Sequence, residues 1–128
     1  MPNMADITVK KADGTTDIVY NALSPSAGDK SPAFWRAEAV SGFPARCPNA
    51  SVSTQFNGPK TARNSEFRFN YPVFTTEGVL LGKVPMTVTV LIPNQISRDD
   101  AAEAVTQGTG LAASALLREV FQTGLSPK

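Results

Sequence analysis

The sequence predicts an α+β protein in which antiparallel strands fill most of the chain and two helices follow them. The first indication is the alternation of polar and apolar residues in segments 50–56, 66–71 and 86–92, which is typical of strands with one buried and one solvated face. The second is the change to a helical spacing of apolar residues after Pro93. At 128 residues the chain has the size of one domain, so we expect a single domain over residues 1–128.

Residues 1–21 are predicted to form an N-terminal β-hairpin. Alternating residues 6–10 and 17–20 flank the dipeptide Asp13-Gly14. An Asp-Gly pair is a strong hairpin-turn signal because both residues tolerate a positive φ. The chain therefore begins with two paired strands.

A sheet is expected within residues 34–92. It follows residues 24–32, which are rich in serine and proline and are predicted to be a loop. Residues 34–40 fit either a strand or a short helical turn, and their aromatic start favours a strand. Residues 42–48 contain two prolines and are expected to be irregular.

Two connections join the three alternating strands. Residues 57–60 (Asn-Gly-Pro-Lys) predict a turn between the first two strands. Residues 75–82 predict a longer loop whose tip carries Val79, Leu80 and Leu81. Exposed apolar residues at a loop tip indicate a contact with another chain.

Residues 97–123 are expected to form two helices. The first covers residues 98–107 and begins with the Ser-x-x-acid pattern of a helix start. Gly108 and Gly110 are expected to interrupt or kink it, because each glycine costs about 1 kcal/mol in a helix interior. The second helix covers residues 111–123, and its apolar stripe consists of Ala113, Leu117, Val120 and Phe121.

This arrangement leaves the apolar face of a single sheet uncovered unless something packs on it. The two helices follow the last strand and can cover either their own sheet or that of a second copy. If they cover a partner, the protomer is not stable alone and the protein is an obligate dimer.

The composition excludes most enzyme classes. There is no histidine, which removes the commonest general base and the commonest metal ligand. Cys47 is the one cysteine, so neither an intrachain disulfide nor a zinc cluster nor a Cys–His pair can form. Asp99 and Asp100 fit the acidic first turn of a helix better than a catalytic pair. We therefore predict no enzyme, no cofactor, no metal and no small-molecule substrate.

Targeting signals and net charge limit the partners. No apolar run reaches the length of about 18 residues that a membrane span needs, and the first residues do not resemble a secretory signal. We expect a protein made in a cytoplasm, without a membrane partner. The formal net charge of +1 argues against a strongly basic nucleic-acid binder.

The polar face of the predicted sheet is the candidate binding surface. An ordinary solvated sheet face is the simpler interpretation. The alternative is a flat platform of neutral hydrogen-bonding groups and a few cations that binds folded RNA. It lacks aromatic residues for base stacking, because those of the alternating strands lie on the opposite face. The polar face consists of Ser51, Ser53, Gln55, Glu66, Arg68, Asn70, Thr87 and Thr89, with Lys60, Arg63 and Lys83 near its strand ends.

The order of these elements resembles the coat proteins of the single-stranded RNA bacteriophages, the leviviruses. The resemblance covers nearly the whole chain. Its most specific parts are residues 51–55 and 60–72, which resemble the two RNA-facing strands and their connection, and residues 86–93, which resemble the last strand and the proline before the helices. No single motif is diagnostic, and the ordered set carries the resemblance.

The resemblance implies an N-terminal hairpin, a five-stranded antiparallel sheet and two C-terminal helices in an interlocked dimer. It implies a viral structural protein made in the bacterial host cytoplasm, whose dimers assemble into an icosahedral shell around single-stranded genomic RNA. The polar face would then bind RNA, including a stem-loop whose binding represses translation, and residues 75–82 would contact neighbouring dimers. Pro85 stands where some members have a base-stacking tyrosine, so this sequence departs from their pattern at that position. The alternative function is a non-viral dimeric RNA-binding regulatory protein.

Overall fold

The computed structural model describes residues 3–128 of the chain. Six strands are arranged in one sheet in the order of the sequence, each next to the following one. The pairs from β1 to β5 are antiparallel. Two helices follow, so the expected α+β class is confirmed. The elements are β1 Ile7–Lys10, β2 Asp17–Ser24, β3 Ala33–Arg36, β4 Asn49–Phe56, β5 Ala62–Phe74, β6 Leu80–Pro93, α1 Arg98–Ala112 and α2 Ala115–Thr123.

The N-terminal hairpin is present and shares a strand with the rest of the sheet. β1 pairs with β2, and β2 pairs in turn with β3. The hairpin and the five-stranded sheet expected from the resemblance are therefore continuous, with β2 belonging to both. In the turn, Gly14 has φ 77°, and Asp13 Oδ1 accepts hydrogen bonds from the backbone N–H groups of Thr15 and Thr16. Residues 1 and 2 of the predicted hairpin segment lie outside the described residues.

The strand expected over residues 34–40 is shorter than predicted. β3 ends at Arg36, and residues 38–40 form a single 3₁₀ turn. After Arg36, the fully buried Ala37 still donates its N–H to the carbonyl of Pro48 at 3.0 Å, next to the last paired residues of β3 and β4. A second 3₁₀ turn, Pro44–Arg46, leads to β4. Both structures considered for this segment, a strand and a helical turn, thus occur one after the other.

The β4–β5 connection is the tight turn expected over residues 57–60. Lys60 donates its N–H to the carbonyl of Asn57 at 3.0 Å. The Asn57 side-chain oxygen accepts from the N–H groups of Thr61 and Ala62. An asparagine side chain that caps its own turn in this way fixes the point where the second strand begins.

The β5–β6 loop is shorter than the predicted residues 75–82. Thr75 donates its N–H to the carbonyl of Val79 at 2.8 Å, and Gly78 donates to Thr75 at 3.0 Å. These bonds close the loop within five residues. Leu80 and Leu81, expected at the loop tip, are instead the first residues of β6.

The helical break predicted at Gly108 and Gly110 is wrong. α1 continues through both glycines to Ala112, and α2 begins at Ala115. Two glycines lower the stability of the helix, but they keep their backbone N–H groups and so do not remove a hydrogen bond. The second helix begins later because the Ser114 side chain accepts the N–H of Leu117. The expected helix start at Ser97 is confirmed, because its side chain accepts the N–H of Asp100 at 3.2 Å.

The apolar face of the strands has a core of small buried residues surrounded by aromatic ones. Trp35, Ala50 and Phe69 lie opposite one another on β3, β4 and β5, and the Tyr20 ring meets the Phe69 ring edge to face at 6.0 Å. Trp35 also donates its indole N–H to the carbonyl of Ala5 at 2.9 Å. Among the described residues, the buried apolar ones are Ala33, Ala37, Cys47, Pro48, Ala50, Ala62 and Pro72.

The chain divides after Leu91 into a strand unit and a helical unit. In the strand unit, the β6 side chains of Met86 and Val88 are 45% and 40% exposed. In the helical unit, Leu116 and Phe121 of α2 are 59% and 61% exposed, and neither helix has a buried residue. In the single chain, each unit therefore has large apolar side chains exposed to solvent. The single domain expected over residues 1–128 stays a prediction.

Candidate nucleic-acid interface

The pairing of β4 with β5 brings the predicted polar residues of both strands to one face. Residues directly opposite each other in an antiparallel pair project to the same side of the sheet. Ser51 lies opposite Arg68, and Ser53 lies opposite Glu66. The alternation along each strand extends this face to Gln55 and Asn70. Six of the predicted residues are thus placed together.

Arg68 is the most prominent cation of the polar face. Its side chain is 69% exposed, and its Nε donates to Glu66 Oε1 at 2.5 Å. Glu66 is 29% exposed and restrains one edge of the guanidinium group. Since the side chain is largely exposed, its other N–H donors can be reached by a phosphate or a base edge.

β6 contributes to the same surface through Thr87. This residue lines one shallow depression of about 360 Å³ together with residues of β4 and β5. Thr89 is exposed further along β6, and Lys83 is exposed near its start. The residues around the depression are Asn49, Ser51, Arg68, Phe69, Asn70, Pro85, Met86 and Thr87.

Arg63 lies on the opposite side of the sheet from the position expected for it. It pairs with Phe56 across β4 and β5, and its guanidinium group lies 4.6 Å from the centre of the Phe56 ring. It forms two hydrogen bonds with the carboxylate of Asp29, which lower the pKa of Asp29 and raise the pKa of Arg63. β5 begins at Ala62, so strand alternation from Arg68 turns Arg63 to the apolar side. We leave it out of the polar face.

Lys60 stands apart from both faces in the β4–β5 turn. It is exposed and has φ 58°, a backbone conformation that follows from the tight turn described above. Its position at the end of the hairpin agrees with the expected place near the strand ends.

Several polar-face residues were missed by the sequence reasoning. Asn64 lies opposite Gln55, and Asn49 lies opposite Asn70. β3 adds Phe34, opposite Ser51, and Arg36, opposite Asn49. The place of Asn64 on the polar face can be predicted from the alternation along β5 once the strand is extended back to Ala62. The β3 residues depend on the register across an irregular connection, which no local pattern indicates.

Phe34 also corrects the expectation that the polar face lacks aromatic residues. The residue is partly exposed, and its paired neighbours on both sides, Ser24 and Ser51, are serines. Its face assignment follows from the register, because Ser51 in turn lies opposite Arg68.

The predicted contact residues Val79, Leu80 and Leu81 are strongly exposed, at 60%, 47% and 69%. The loop before them is supported by Arg46. The Arg46 guanidinium group lies 4.8 Å from the centre of the Phe43 ring and 5.4 Å from that of Phe74. A Cβ atom added at Gly78 would lie 2.9 Å from Arg46 Nη2.

The other reactive groups lie away from the polar face. Cys47 is a buried thiol that donates to the carbonyls of Ser41 and Phe43. Desolvation raises the pKa of the half-buried Tyr20 above its ordinary value. Between residues 3 and 128, no three His, Cys, Asp or Glu side chains are grouped as metal ligands. No helix in the described part of the chain is long and apolar enough to span a membrane.

Solved virus structures share the fold of this chain along almost its whole length. A chain from the virus-like particle of Beihai levi-like virus 21 matches with a TM-score of 0.83 at 19% sequence identity, covering 99% of both chains. One from the virus-like particle of bacteriophage NT-214 matches with a TM-score of 0.82 at 10% identity, covering 99% of this chain and 100% of that one. A bacteriophage structure described as an unassembled virus coat protein dimer and an RNA-binding dimer matches with a TM-score of 0.71 at 16% identity, covering 98% of both.

Neither a protein-family model nor a curated protein matches the sequence. Identities this low establish the fold and not the activity. The chain has the fold of bacteriophage coat proteins, and the strands followed by two C-terminal helices that the resemblance implies are confirmed for the single chain.

Proposed function

We propose that this protein is the coat subunit of an RNA bacteriophage, a viral structural protein without enzymatic activity. The observation that carries the proposal is the structural similarity to a chain of a virus-like particle, which covers 99% of this chain and 99% of that one. A cellular domain that had only borrowed part of the fold would match over a smaller share of one chain. Dimers of this subunit assemble into an icosahedral shell that encloses single-stranded RNA.

The exposed apolar residues of both units support an interlocked dimer. Met86 and Val88 of β6, and Leu116 and Phe121 of α2, are each at least 40% exposed in the single chain. Burial of an apolar side chain of this size stabilises a protein by about 1.5–3 kcal/mol. A second copy provides that burial when the helices of each subunit cover the strands of its partner. The dimer is in this account the smallest stable unit.

The polar face supports RNA as the second partner. Its serine, threonine and asparagine side chains supply hydrogen-bond donors and acceptors, and Arg68 supplies an exposed cation. Such groups position a nucleic acid through its phosphates and hydroxyls. The RNA-binding residues of the proposal are Ser51, Ser53, Gln55, Lys60, Glu66, Arg68, Asn70, Lys83, Thr87 and Thr89. Binding of one stem-loop on this face, with translational repression, is a further part of the proposal.

The apolar residues at the start of β6 support contacts between dimers. Leu81 is 69% exposed in the first residues of β6, beside Leu80 and next to Val79 of the β5–β6 loop. An exposed apolar cluster beside a loop whose Gly78 lies close to Arg46 is suited to a repeated contact in a shell. The protein is then a component of the virion, made in the cytoplasm of a bacterial host.

Bacterial expression followed by size-exclusion chromatography, absorbance at 260 and 280 nm and negative-stain electron microscopy tests the proposal. Uniform virus-sized particles that contain nuclease-protected RNA are expected. A single species of dimer mass that never forms particles, at any salt or protein concentration, would contradict the coat assignment. If that dimer still bound RNA, the protein would be a dimeric RNA-binding regulator.

A further inference from the structure

We infer that Phe34 is a stacking platform for an unpaired RNA base on the polar face. This inference rests on the proposed function and names a contact that the resemblance does not supply. Phe34 belongs to β3 and lies opposite Ser51 of β4, which lies opposite Arg68 of β5. An aromatic ring is thereby placed two strands away from the exposed guanidinium group of the same face.

The paired neighbours of Phe34 leave part of this residue exposed. Ser24 of β2 and Ser51 of β4 are its paired residues across the two neighbouring strands. Paired side chains in a sheet have Cβ atoms about 5 Å apart, and a serine is too short to cover a phenyl ring. Phe34 is partly buried, as are Trp35 and Phe69 of the apolar face, and what sets it apart is its position between two serines on the polar face.

Six other aromatic rings of the described chain contact a second ring or an arginine. They are Tyr20 and Tyr71, which each contact Phe69, Phe43 and Phe74, which contact Arg46, and Phe56, which contacts Arg63. Of the strand residues without such a contact between residues 3 and 128, Phe34 lies on the polar face, whereas Trp35 and Phe67 lie on the apolar face. The Phe34 ring is therefore free to stack against a base of a bound RNA.

Arg36 supplies a cation on the same strand and the same face as Phe34. It follows two residues later, so the Cα atoms of the two residues are about 7 Å apart along β3. Its guanidinium group forms one ion pair, with Glu38 at 3.3 Å, and its buried Nε has no hydrogen-bond partner in the described part of the chain. Base stacking on an aromatic ring beside an arginine is a recurrent way of holding single-stranded nucleic acid.

The test measures binding of two short RNA hairpins by the purified coat protein at several salt concentrations. One hairpin carries unpaired adenines in its loop, and the other carries abasic sites there, so that only the bases differ. Wild type and the variants Phe34→Leu and Phe34→Tyr are compared. Phe56→Leu is the matched control, since Phe56 is 42% exposed on the opposite face.

Phe34→Leu is expected to weaken binding of the adenine loop by about fivefold or more, which corresponds to the lower end of measured base–aromatic stacking. Its affinity for the abasic loop and its salt dependence should equal those of wild type, because stacking releases no counterions. Phe34→Tyr and Phe56→Leu should retain wild-type binding. Where Phe34→Leu fails to fold, wild type must still prefer the adenine loop to the abasic one.

Two results would overturn the inference alone. Equal affinity of wild type and Phe34→Leu for the adenine loop would exclude stacking, and an equal loss on both hairpins would reduce Phe34 to a structural role. A wild-type protein that binds neither hairpin with a salt dependence would instead overturn the RNA-binding part of the proposed function, and the stacking contact with it.

Discussion

Arg63 and Asp29 form a two-pronged ion pair that connects β5 with the loop between β2 and β3. Arg63 Nη1 lies 2.9 Å from Asp29 Oδ2, and Nη2 lies 3.0 Å from Oδ1. Nη2 also donates to Thr54 Oγ1 at 3.2 Å. The pair lies on the side of the sheet opposite to Arg68. Two arginines of the same strand, five residues apart, therefore differ in role: Arg63 connects β5 to a loop, and Arg68 is exposed on the polar face.

The two arginines are expected to respond differently to alanine substitution. Arg68→Ala should weaken RNA binding and reduce the slope of log affinity against log salt by about 0.7–0.9, the value for one lost phosphate contact. Arg63→Ala should leave the RNA affinity and its salt dependence unchanged and should lower the midpoint of thermal unfolding slightly. Asp29→Asn should have the same two effects. Filter binding at several salt concentrations and thermal melting measure these quantities. An unchanged slope for Arg68→Ala together with a reduced one for Arg63→Ala would reverse the assignment of the two faces.

The exposed leucines at the start of β6 should matter for assembly and not for folding. Replacing Leu80 and Leu81 with serine is expected to leave folded dimers and to reduce the yield of particles, because an apolar contact between dimers is lost. The double replacement with isoleucine, which keeps the contact apolar, is the control. Particle yield is measured by sedimentation. Normal particle yield from the serine variant would show that these residues are outside the contact.

Gly78 is required by the conformation of the β5–β6 loop. Its φ is 86°, and a side chain would meet the Arg46 guanidinium group. Gly78→Ala is expected to destabilise the protein by about 1–2 kcal/mol, the cost of a left-handed conformation with a Cβ atom. Gly82→Ala should change stability by less than about 0.5 kcal/mol, because nothing lies within 4 Å of the added atom. Chemical denaturation measures both, and equal losses would contradict this account of Gly78.

Asp13 makes the N-terminal hairpin turn sensitive to acid. The side-chain hydrogen bond from Thr16 and the backbone N–H groups of Thr16 and Thr15 lower the pKa of Asp13 from 3.8 to about 2. A lowered pKa in the folded state means that the ionised carboxylate stabilises the turn above pH 3.8, and that this contribution is lost as the pH falls towards 2. NMR titration of the Thr15 and Thr16 amide shifts measures the transition. Asp13→Asn should lack it, and a wild-type midpoint near 3.8 would contradict the hydrogen-bonded turn.

Much of the strand architecture was predictable because local alternation reports it directly. Residues 66–71 alternate cleanly, and the same alternation extended backwards assigns Asn64 to the polar face and Arg63 to the other. Arg63 does lie near the end of β5, as expected, but the strand already begins at Ala62 and alternation therefore applies to Arg63. The sequence contains this signal once the start of the strand is known.

Other features depend on interactions that a local pattern does not contain. The contribution of Phe34 to the polar face follows from the β3–β4 register, which is set across an irregular connection by contacts such as Ala37 N–H with the Pro48 carbonyl. The end of α1 is different, because its signal is local. The glycines at 108 and 110 do not interrupt the helix, and the new helix begins where Ser114 accepts the N–H of Leu117.

Electron cryomicroscopy of assembled particles tests the central claim most directly, because it shows which side of the sheet faces the packaged RNA. We predict a shell of dimers in which each subunit's helices cover its partner's strands and RNA density lies against Arg68, Ser51 and Phe34. A shell with Arg63 and Phe56 towards the RNA, or with the helices on the inner surface, would contradict the proposed interface.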